Sequence, residues 1–287
     1  TEGSRRETPG TSEGWHMRSP MTFFGVAFGK DKFVAVGEGG AIAYSSDGKA
    51  WNVAHSGTMA SLRAVTCGKD IFVAVGDNGA ILTSPDGTKW TLRSSGSDDS
   101  MQGVAYGKDF FLAAGLRGTL RKSMDGITWQ EGPPVTSGNM MQIAFADGRF
   151  FAASDNGTVL MSSNGESWRN IVSGAKIVKG IAHGTAGFIA IGGMGSVLIS
   201  TDGEKWNMRT TGIPSWLRAI IYASDRYIAL GDNGTIMSSK NGTAWSRNVS
   251  GTSAPLYSIA YGKGILIVVG GNGTILVSSD TSNFHLV

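Results

Sequence analysis

Cysteine is almost absent from this sequence: Cys67 is the one thiol among 287 residues. A single cysteine cannot form a disulfide within the chain, and it neither requires nor excludes an oxidising compartment. Long apolar runs are absent as well, because no stretch of 18 apolar residues occurs. The sequence therefore predicts no membrane-spanning helix.

Charged and metal-binding side chains are also sparse. Charged residues make up 16% of the chain and the net charge is +3, so the basic surface of a nucleic-acid-binding protein is not expected. The four histidines are scattered without the spacing of metal ligands, and we expect neither a metal site nor a cofactor. They are His16, His55, His183 and His285.

Glycine, by contrast, is abundant, with 43 residues. Glycine adopts positive φ angles without steric cost, so this composition is typical of a β protein with many tight turns. The chain starts at Thr1 rather than at methionine, which suggests a trimmed or mature product, although no signal peptide is visible.

A pattern of seven residues, Ser-x-Asp/Asn-Gly-x-x-Trp, returns along the whole chain and first occupies residues 45–51. Its closing aromatic residues stand 39, 39, 39, 38, 39 and 39 residues apart. They are Trp51, Trp90, Trp129, Trp168, Trp206, Trp245 and, in a degenerate last copy, Phe284. A fixed period of this length indicates a repeat architecture.

Each repeat contains four strand-like runs. In the third repeat they cover 103–106, 110–114 and 119–122, and the fourth begins at Trp129. The second run is almost wholly apolar in every repeat and needs cover on both faces. Short turns join the runs, several of them with Asn-Gly, which is a strong hairpin signal. We therefore predict an all-β fold, a seven-bladed β-propeller of four-stranded antiparallel blades that cover one another.

The repeats also set the domain boundaries. Residues 1–14 are polar and show no apolar periodicity, so we expect a flexible leader there, followed by the propeller over residues 15–287. The segment at Trp15 resembles the residues that follow each repeat aromatic. We expect it to supply the fourth strand of the last blade and so close the ring. In the alternative assignment, residues 284–287 are that strand.

The acidic or amide residue of the repeated pattern has a structural interpretation. Its side chain accepts hydrogen bonds from N–H groups of its own turn, the next glycine is left-handed, and the tryptophan packs between blades. This predicted structural set is Asp47, Asp86, Asp125, Asn164, Asp202, Asn241 and Asp280. Cys67 stands where most other repeats have an aromatic residue, so we expect a core thiol rather than a nucleophile.

The repeated pattern resembles the Asp-box, or BNR repeat, with one residue fewer than usual between Asp and Trp. The longer phrase at residues 33–51 is similar to the repeats of the photosystem II assembly factor family and of secreted bacterial BNR-like proteins. This resemblance covers residues 15–287. It implies a non-catalytic scaffold outside the cytoplasm of a bacterium that binds a protein partner or assists assembly of a larger complex. No motif maps the arginine-bearing surface of the assembly factors onto this chain, and propeller folds carry unrelated activities.

Sialidases carry similar repeats but need an arginine cluster and paired carboxylates. This chain has Gly212-Ile213-Pro214 and no Arg-Ile-Pro, and its clustered acids outside the pattern, Asp98 and Asp99, lie in a Ser/Gly loop. We therefore do not predict an enzyme or any catalytic residue. A glycan-binding module or a degenerate glycosidase relative is the alternative function.

Function is expected where the repeats differ. The residue two before the Val or Ile of each first strand varies, and so do the connections between repeats. The predicted binding residues are Phe24, Arg63, Gln102, Met141, Lys179, Arg218 and Tyr257, together with Trp216 from the connection at 211–216. Trp, Tyr and Arg are the usual anchors of interfaces, and three cations favour an anionic partner. The alternative interpretation is ordinary variation at a channel mouth.

Overall fold

Seven four-stranded antiparallel sheets follow one another along the chain and form the blades of a ring. The structure, a computed structural model, describes residues 21–133, 135–136, 138–172 and 177–287. The predicted leader over residues 1–14 and the predicted strand at Trp15 lie outside these ranges, and both stay predictions. Among the described residues no helix has the length and apolar character to cross a membrane. The predicted all-β, seven-bladed propeller is confirmed.

The first four blades cover the chain as far as residue 172. Blade 1 comprises β1 (Phe23–Gly29), β2 (Lys32–Gly37), β3 (Ile42–Ser45) and β4 (Asn52–Ala54). Blade 2 comprises β5 (Leu62–Gly68), β6 (Ile71–Gly76), β7 (Ile81–Ser84) and β8 (Thr91–Arg93). Blade 3 comprises β9 (Met101–Gly107), β10 (Phe110–Gly115), β11 (Leu120–Ser123) and β12 (Gln130–Glu131). Blade 4 comprises β13 (Met140–Ala146), β14 (Arg149–Ser154), β15 (Thr158–Ser162) and β16 (Arg169–Val172).

The last three blades repeat this order. Blade 5 comprises β17 (Val178–Gly184), β18 (Gly187–Gly192), β19 (Ser196–Ser200) and β20 (Asn207–Thr210). Blade 6 comprises β21 (Leu217–Ala223), β22 (Arg226–Gly231), β23 (Ile236–Ser239) and β24 (Ser246–Asn248). Blade 7 comprises β25 (Leu256–Gly262), β26 (Ile265–Gly270), β27 (Ile275–Ser278) and β28 (His285–Leu286). One-turn 3-10 helices join the second and third strands of four blades: Glu38–Gly40, Asp77–Gly79, Leu116–Gly118 and Gly193–Gly195.

Within each blade the strands lie side by side in chain order. The first strands of neighbouring blades contact one another around the central channel, so the first strand is innermost. The second strand is covered on both faces, as Phe111 and Leu112 of β10 illustrate, which explains its continuous apolar sequence. The fourth strands are only two to four residues long, and such short outer strands limit edge-to-edge pairing with other chains.

Each blade packs against the next through its own hydrophobic cluster. Between blades 1 and 2, for example, Val34 meets Phe72, and Trp90 packs against the cluster. The cluster between blades 7 and 1 has the same character, with Phe33 and Ile267 fully buried. The ring is therefore closed by the same side-chain packing that joins the other blades.

The fourth strand of blade 7 is β28, which pairs with β27. This strand comes from the C-terminal segment, as in the alternative assignment made from the sequence. The first described residue also contacts blade 7 directly, because the backbone N–H of Gly273, in the turn between β26 and β27, donates to the carbonyl of Met21 at 2.8 Å.

Antiparallel strands send their connections alternately to opposite faces of the ring. We call upper the face with the turns between second and third strands and with the loops that lead to the next blade. The lower face carries the turns between first and second strands and the repeated Ser-x-Asp/Asn-Gly turns.

The lower ends of the first strands interlock between blades. Phe145 of blade 4 lies over Gly107 of blade 3, where a methyl group would be 2.3 Å from the Cγ atom of the ring. Blade 4 ends its first strand with Ala146 instead of glycine, and the facing side chain of blade 5, His183, is exposed. With glycine at this position the neighbouring aromatic side chain is half-buried, and with alanine it is exposed.

Cys67 takes the place of that ring in blade 2. Its Sγ atom lies over Gly29, 2.2 Å from where a methyl group would be, and the side chain packs against the cluster between blades 1 and 2. Burial raises the pKa of the thiol. Both observations agree with a core thiol, which is protonated at neutral pH.

Candidate binding site at the channel mouth

A β-bulge sets one side chain apart in each first strand. In β5 the pairing with β6 passes from Leu62 to Ala64 and leaves Arg63 unpaired. The same shift occurs in the other six blades. A bulge re-aims its extra residue, which explains why this position escapes the repeat pattern. The displaced residues are seven of those predicted from the sequence, and we call them the mouth residues: Phe24, Arg63, Gln102, Met141, Lys179, Arg218 and Tyr257.

All seven mouth residues line one cavity, which lies at the upper end of the channel. Its volume is about 450 Å³, within the range of small-molecule pockets. The residue after the bulge is small in several blades, for example Gly25 and Ala64, and a methyl group on Gly25 would already be 3.0 Å from the Cα atom of Ala64. The first strands therefore approach closely below the mouth residues.

Two arginines and two aromatic rings form a continuous arc along one side of this cavity. The Cζ atom of Arg63 lies 4.7 Å from the centre of the Phe24 ring, and that of Arg218 lies 5.2 Å from the centre of the Tyr257 ring. The two rings meet edge to face at 5.5 Å. Cation–π and edge-to-face contacts of this kind are attractive, so the four side chains support one another. We call these four residues the arc.

Aspartates at the start of the upper turns hold the arc from outside. Arg63 donates from Nε and Nη2 to the two carboxylate oxygens of Asp77, at 2.9 and 2.6 Å. Arg218 donates in the same way to Asp232, at 2.5 and 3.1 Å. Such bidentate ion pairs fix the orientation of a guanidinium group. Two of the three predicted cations therefore already have a carboxylate partner, and the mouth is less positive than the sequence alone suggests.

Lys179 is the third cation of the mouth, and no carboxylate of the described residues pairs with it in this way. Among the described residues its ammonium group makes no ion pair and no hydrogen bond. Burial lowers the pKa of Lys179, the nearby charge of Arg218 lowers it further, and Asp155 acts in the opposite direction. Asp155 itself accepts hydrogen bonds from the backbone and side-chain N–H groups of Asn139, at 3.2 and 2.8 Å.

Trp216 lies on the upper face but does not line the cavity. Its side chain is 40% exposed, and its ring lies over Gly193, where a methyl group would be 3.2 Å from Cζ3. The corresponding turn residue is Asp77 in blade 2 and Asp232 in blade 6. Glycine at residue 193 thus makes room for the indole ring and at the same time removes the carboxylate that would face Lys179.

The predicted structural residues lie on the lower face. In blade 5 a carboxylate oxygen of Asp202 accepts from the N–H groups of Glu204 and Lys205 at 2.8 and 2.9 Å, and the Trp206 indole donates to Gly203 O at 3.1 Å. Gly203 has φ +75°, as the turn requires. Equivalent backbone contacts to the acid or amide recur in all seven blades. These hydrogen bonds lower the pKa of Asp202 to about 2.

Sequence reasoning missed the two aspartates that hold the arc. Both follow their arginine by 14 residues, from Arg63 to Asp77 and from Arg218 to Asp232. The first strand begins at the upper face, and the turn between the second and third strands lies there too. With that known, an aspartate 14 residues after an arginine would have indicated the pair. The bulge carries no sequence signal of its own beyond the unequal residue.

No protein-family model and no curated protein sequence matches the chain. Solved propellers resemble it in structure. YCF48 from Cyanidioschyzon merolae is 18% identical with a TM-score of 0.73, and the match covers 91% of this chain and 96% of that one. A structure of YCF48 bound to D1 peptide is 16% identical with a TM-score of 0.75, and the match covers 91% of this chain and 93% of that one. The WD40 β-propeller domain of Doa1 is 13% identical with a TM-score of 0.74, and the match covers 92% of this chain and 96% of that one. At these identities the likeness shows the fold alone.

Proposed function

We propose that this protein is a non-catalytic scaffold that binds an extended segment of a protein partner at the channel mouth. The arc carries this proposal. Its four side chains are held by one another and by two aspartates, so little conformational freedom is lost when a partner binds. The four side chains are half-buried, and aromatic and arginine side chains in such a setting are the usual anchors of an interface.

The structural neighbours support a protein partner. YCF48 has been solved bound to D1 peptide, and a WD40 domain is among the similar propellers. By analogy we extend peptide binding to this chain, together with membership of the BNR-like repeats and a location outside the cytoplasm of a bacterium. Fractionation of the source organism tests the location, because the proposal requires the protein in a periplasmic, secreted or surface fraction.

The test is capture of a partner by the immobilised protein, followed by measurement of its affinity by calorimetry. Trp216→Ala removes an exposed anchor and should weaken binding by roughly 2 kcal/mol or more. The melting temperature of this variant should stay unchanged, because the indole of Trp216 lies outside the hydrophobic clusters between blades. Met208→Ala on the outer strand β20 is the control, since it removes another exposed apolar side chain far from the mouth. Binding that survives Trp216→Ala and Arg218→Ala together would contradict the proposal.

A glycan is the alternative ligand, because an exposed indole beside the Thr and Ser hydroxyls of the 210–215 loop suits sugar stacking. A glycan array distinguishes a glycan ligand from a protein partner. Saturable binding of one glycan class, lost in Trp216→Ala, would replace the proposed protein partner.

A further inference from the structure

Blade 5 departs from its neighbours at one corner of the mouth. In blades 2 and 6 the mouth residue is an arginine that pairs with the aspartate at the start of the upper turn. In blade 5 the mouth residue is Lys179 and the turn begins with Gly193. Lys179 and Gly193 occupy the positions at which Arg63 contacts Asp77 in blade 2 and Arg218 contacts Asp232 in blade 6. The corner therefore holds a cation and lacks the acid that neutralises the other two.

Within the described part of the chain, the ammonium group of Lys179 has no ion-pair or hydrogen-bond partner. Its side chain is half-buried, it lines the cavity, and Arg218 repels it from the next blade. Asp155 acts favourably on this charge, but its carboxylate already accepts two hydrogen bonds from Asn139. A partly desolvated ammonium group without an acceptor is costly, and a carboxylate placed in the cavity would relieve that cost.

Apolar surface adjoins this cation on the rim. The indole of Trp216 covers Gly193, and the next residue, Met194, projects from the turn at φ +55° with 64% of its surface exposed. Tryptophan and methionine together offer a broad, adaptable surface for aliphatic or aromatic side chains. The cation inside the cavity and the apolar rim outside it flank the same glycine.

We propose that Lys179, Trp216 and Met194 form a subsite for an acidic residue followed by an apolar residue in an extended peptide. The Asp or Glu side chain enters the cavity and pairs with Lys179, and the apolar side chain lies on Trp216 and Met194. Complementary charge is the reason for this choice, because Lys179 has no ion-pair partner among the described residues. This inference rests on the proposed function and adds the class of segment that is bound.

The experiment uses a display library of random 12-residue peptides selected on the full chain. Peptides selected on the wild-type protein should be enriched in Asp or Glu directly before an apolar residue. Selection on Lys179→Met should lose the acidic preference, whereas Lys179→Arg should keep it. Lys205→Met, in the lower-face turn of the same blade, is the matched control and should select the same peptides as the wild type.

A selected peptide and its Asp→Asn or Glu→Gln version then give the pairwise effect by fluorescence anisotropy. The neutral peptide should bind the wild-type protein about tenfold or more weakly, as expected for a hydrogen bond to a charged group. It should bind Lys179→Met with no further loss, because the interaction is already gone. Thermal unfolding of all three lysine variants should show that the fold is kept.

The outcomes separate the two proposals. Peptides whose affinity falls in Tyr257→Ala but not in Lys179→Met would overturn the acidic subsite and leave the channel mouth as the binding site. Peptides that are insensitive to both substitutions would place binding elsewhere and overturn the proposed function as well.

Discussion

Asp202 and Asn164 make the same turn with different side chains. Each accepts two backbone N–H groups of the residues that follow it, at 2.8 and 2.9 Å for Asp202 and at 2.9 Å twice for Asn164. Only the aspartate can be protonated, and its pKa is lowered to about 2 because these hydrogen bonds favour the carboxylate. The turn therefore tolerates an amide, and the acid adds a dependence on pH.

This difference predicts the effect of acid on stability. A lowered folded-state pKa means that the contribution of Asp202 is complete above about pH 4 and is lost as the pH falls through about 2. Asp202→Asn should keep the stability at pH 7 and reduce its loss between pH 4 and pH 2. Asp202→Ala should be less stable at pH 7. Urea denaturation of both variants across this pH range is the measurement, and an unchanged acid dependence in Asp202→Asn would contradict the assignment.

At the scale of single elements, the third strand of blade 3 carries a charged side chain where the third strands of other blades carry an apolar one. Arg121 of β11 occupies the position of Leu82 in β7 and Leu160 in β15. It is 8% exposed, and its Nε atom has no hydrogen-bond partner. Its Nη1 atom lies 3.3 Å from Glu131, which is 82% exposed, and its Nη2 atom donates to Gly96 O at 3.2 Å. A guanidinium group thus fills a place between blades 2 and 3 that is apolar elsewhere.

Replacement of this arginine by leucine should stabilise the protein. Apolar residues in place of buried ion pairs are often neutral or stabilising by 1–4 kcal/mol, and leucine already fits this position in other blades. We expect Arg121→Leu to raise the free energy of unfolding by about 1 kcal/mol or more, measured by urea denaturation. Glu131→Gln is the control and should change little. A lower stability of Arg121→Leu would show that the hydrogen bond to Gly96 outweighs the packing.

For the whole molecule, the regular period was enough to predict the fold. The constant spacing from Trp51 to Phe284 and the apolar second strands imply blades that cover one another, and the seven clusters between blades follow. The closure was harder, because the Trp15 segment and the C-terminal segment both match the repeat. Sequence similarity alone leaves both assignments open.

The sequence predicted that the mouth residues converge, but it did not reveal how their charged groups are paired. Unequal residues at one register had to converge, because first strands surround the channel, and the bulges carry them into one cavity. The pairing of Arg63 and Arg218 with aspartates depends on the meeting of a strand with a turn 14 residues later, which composition does not reveal. Trp216 was placed on the correct face, but its contact with Gly193 needed the structure.

The central claim is that a partner binds the upper face at the channel mouth, and amide hydrogen exchange with the captured partner tests it most directly. Binding should slow exchange in the loops at 58–63 and 211–218, which surround the mouth, and leave the lower-face turns at 45–51 and 84–90 unchanged. The same comparison with Trp216→Ala should lose this protection at partner concentrations that saturate the wild type. Protection confined to the lower-face turns or to the outer fourth strands would contradict binding at the mouth.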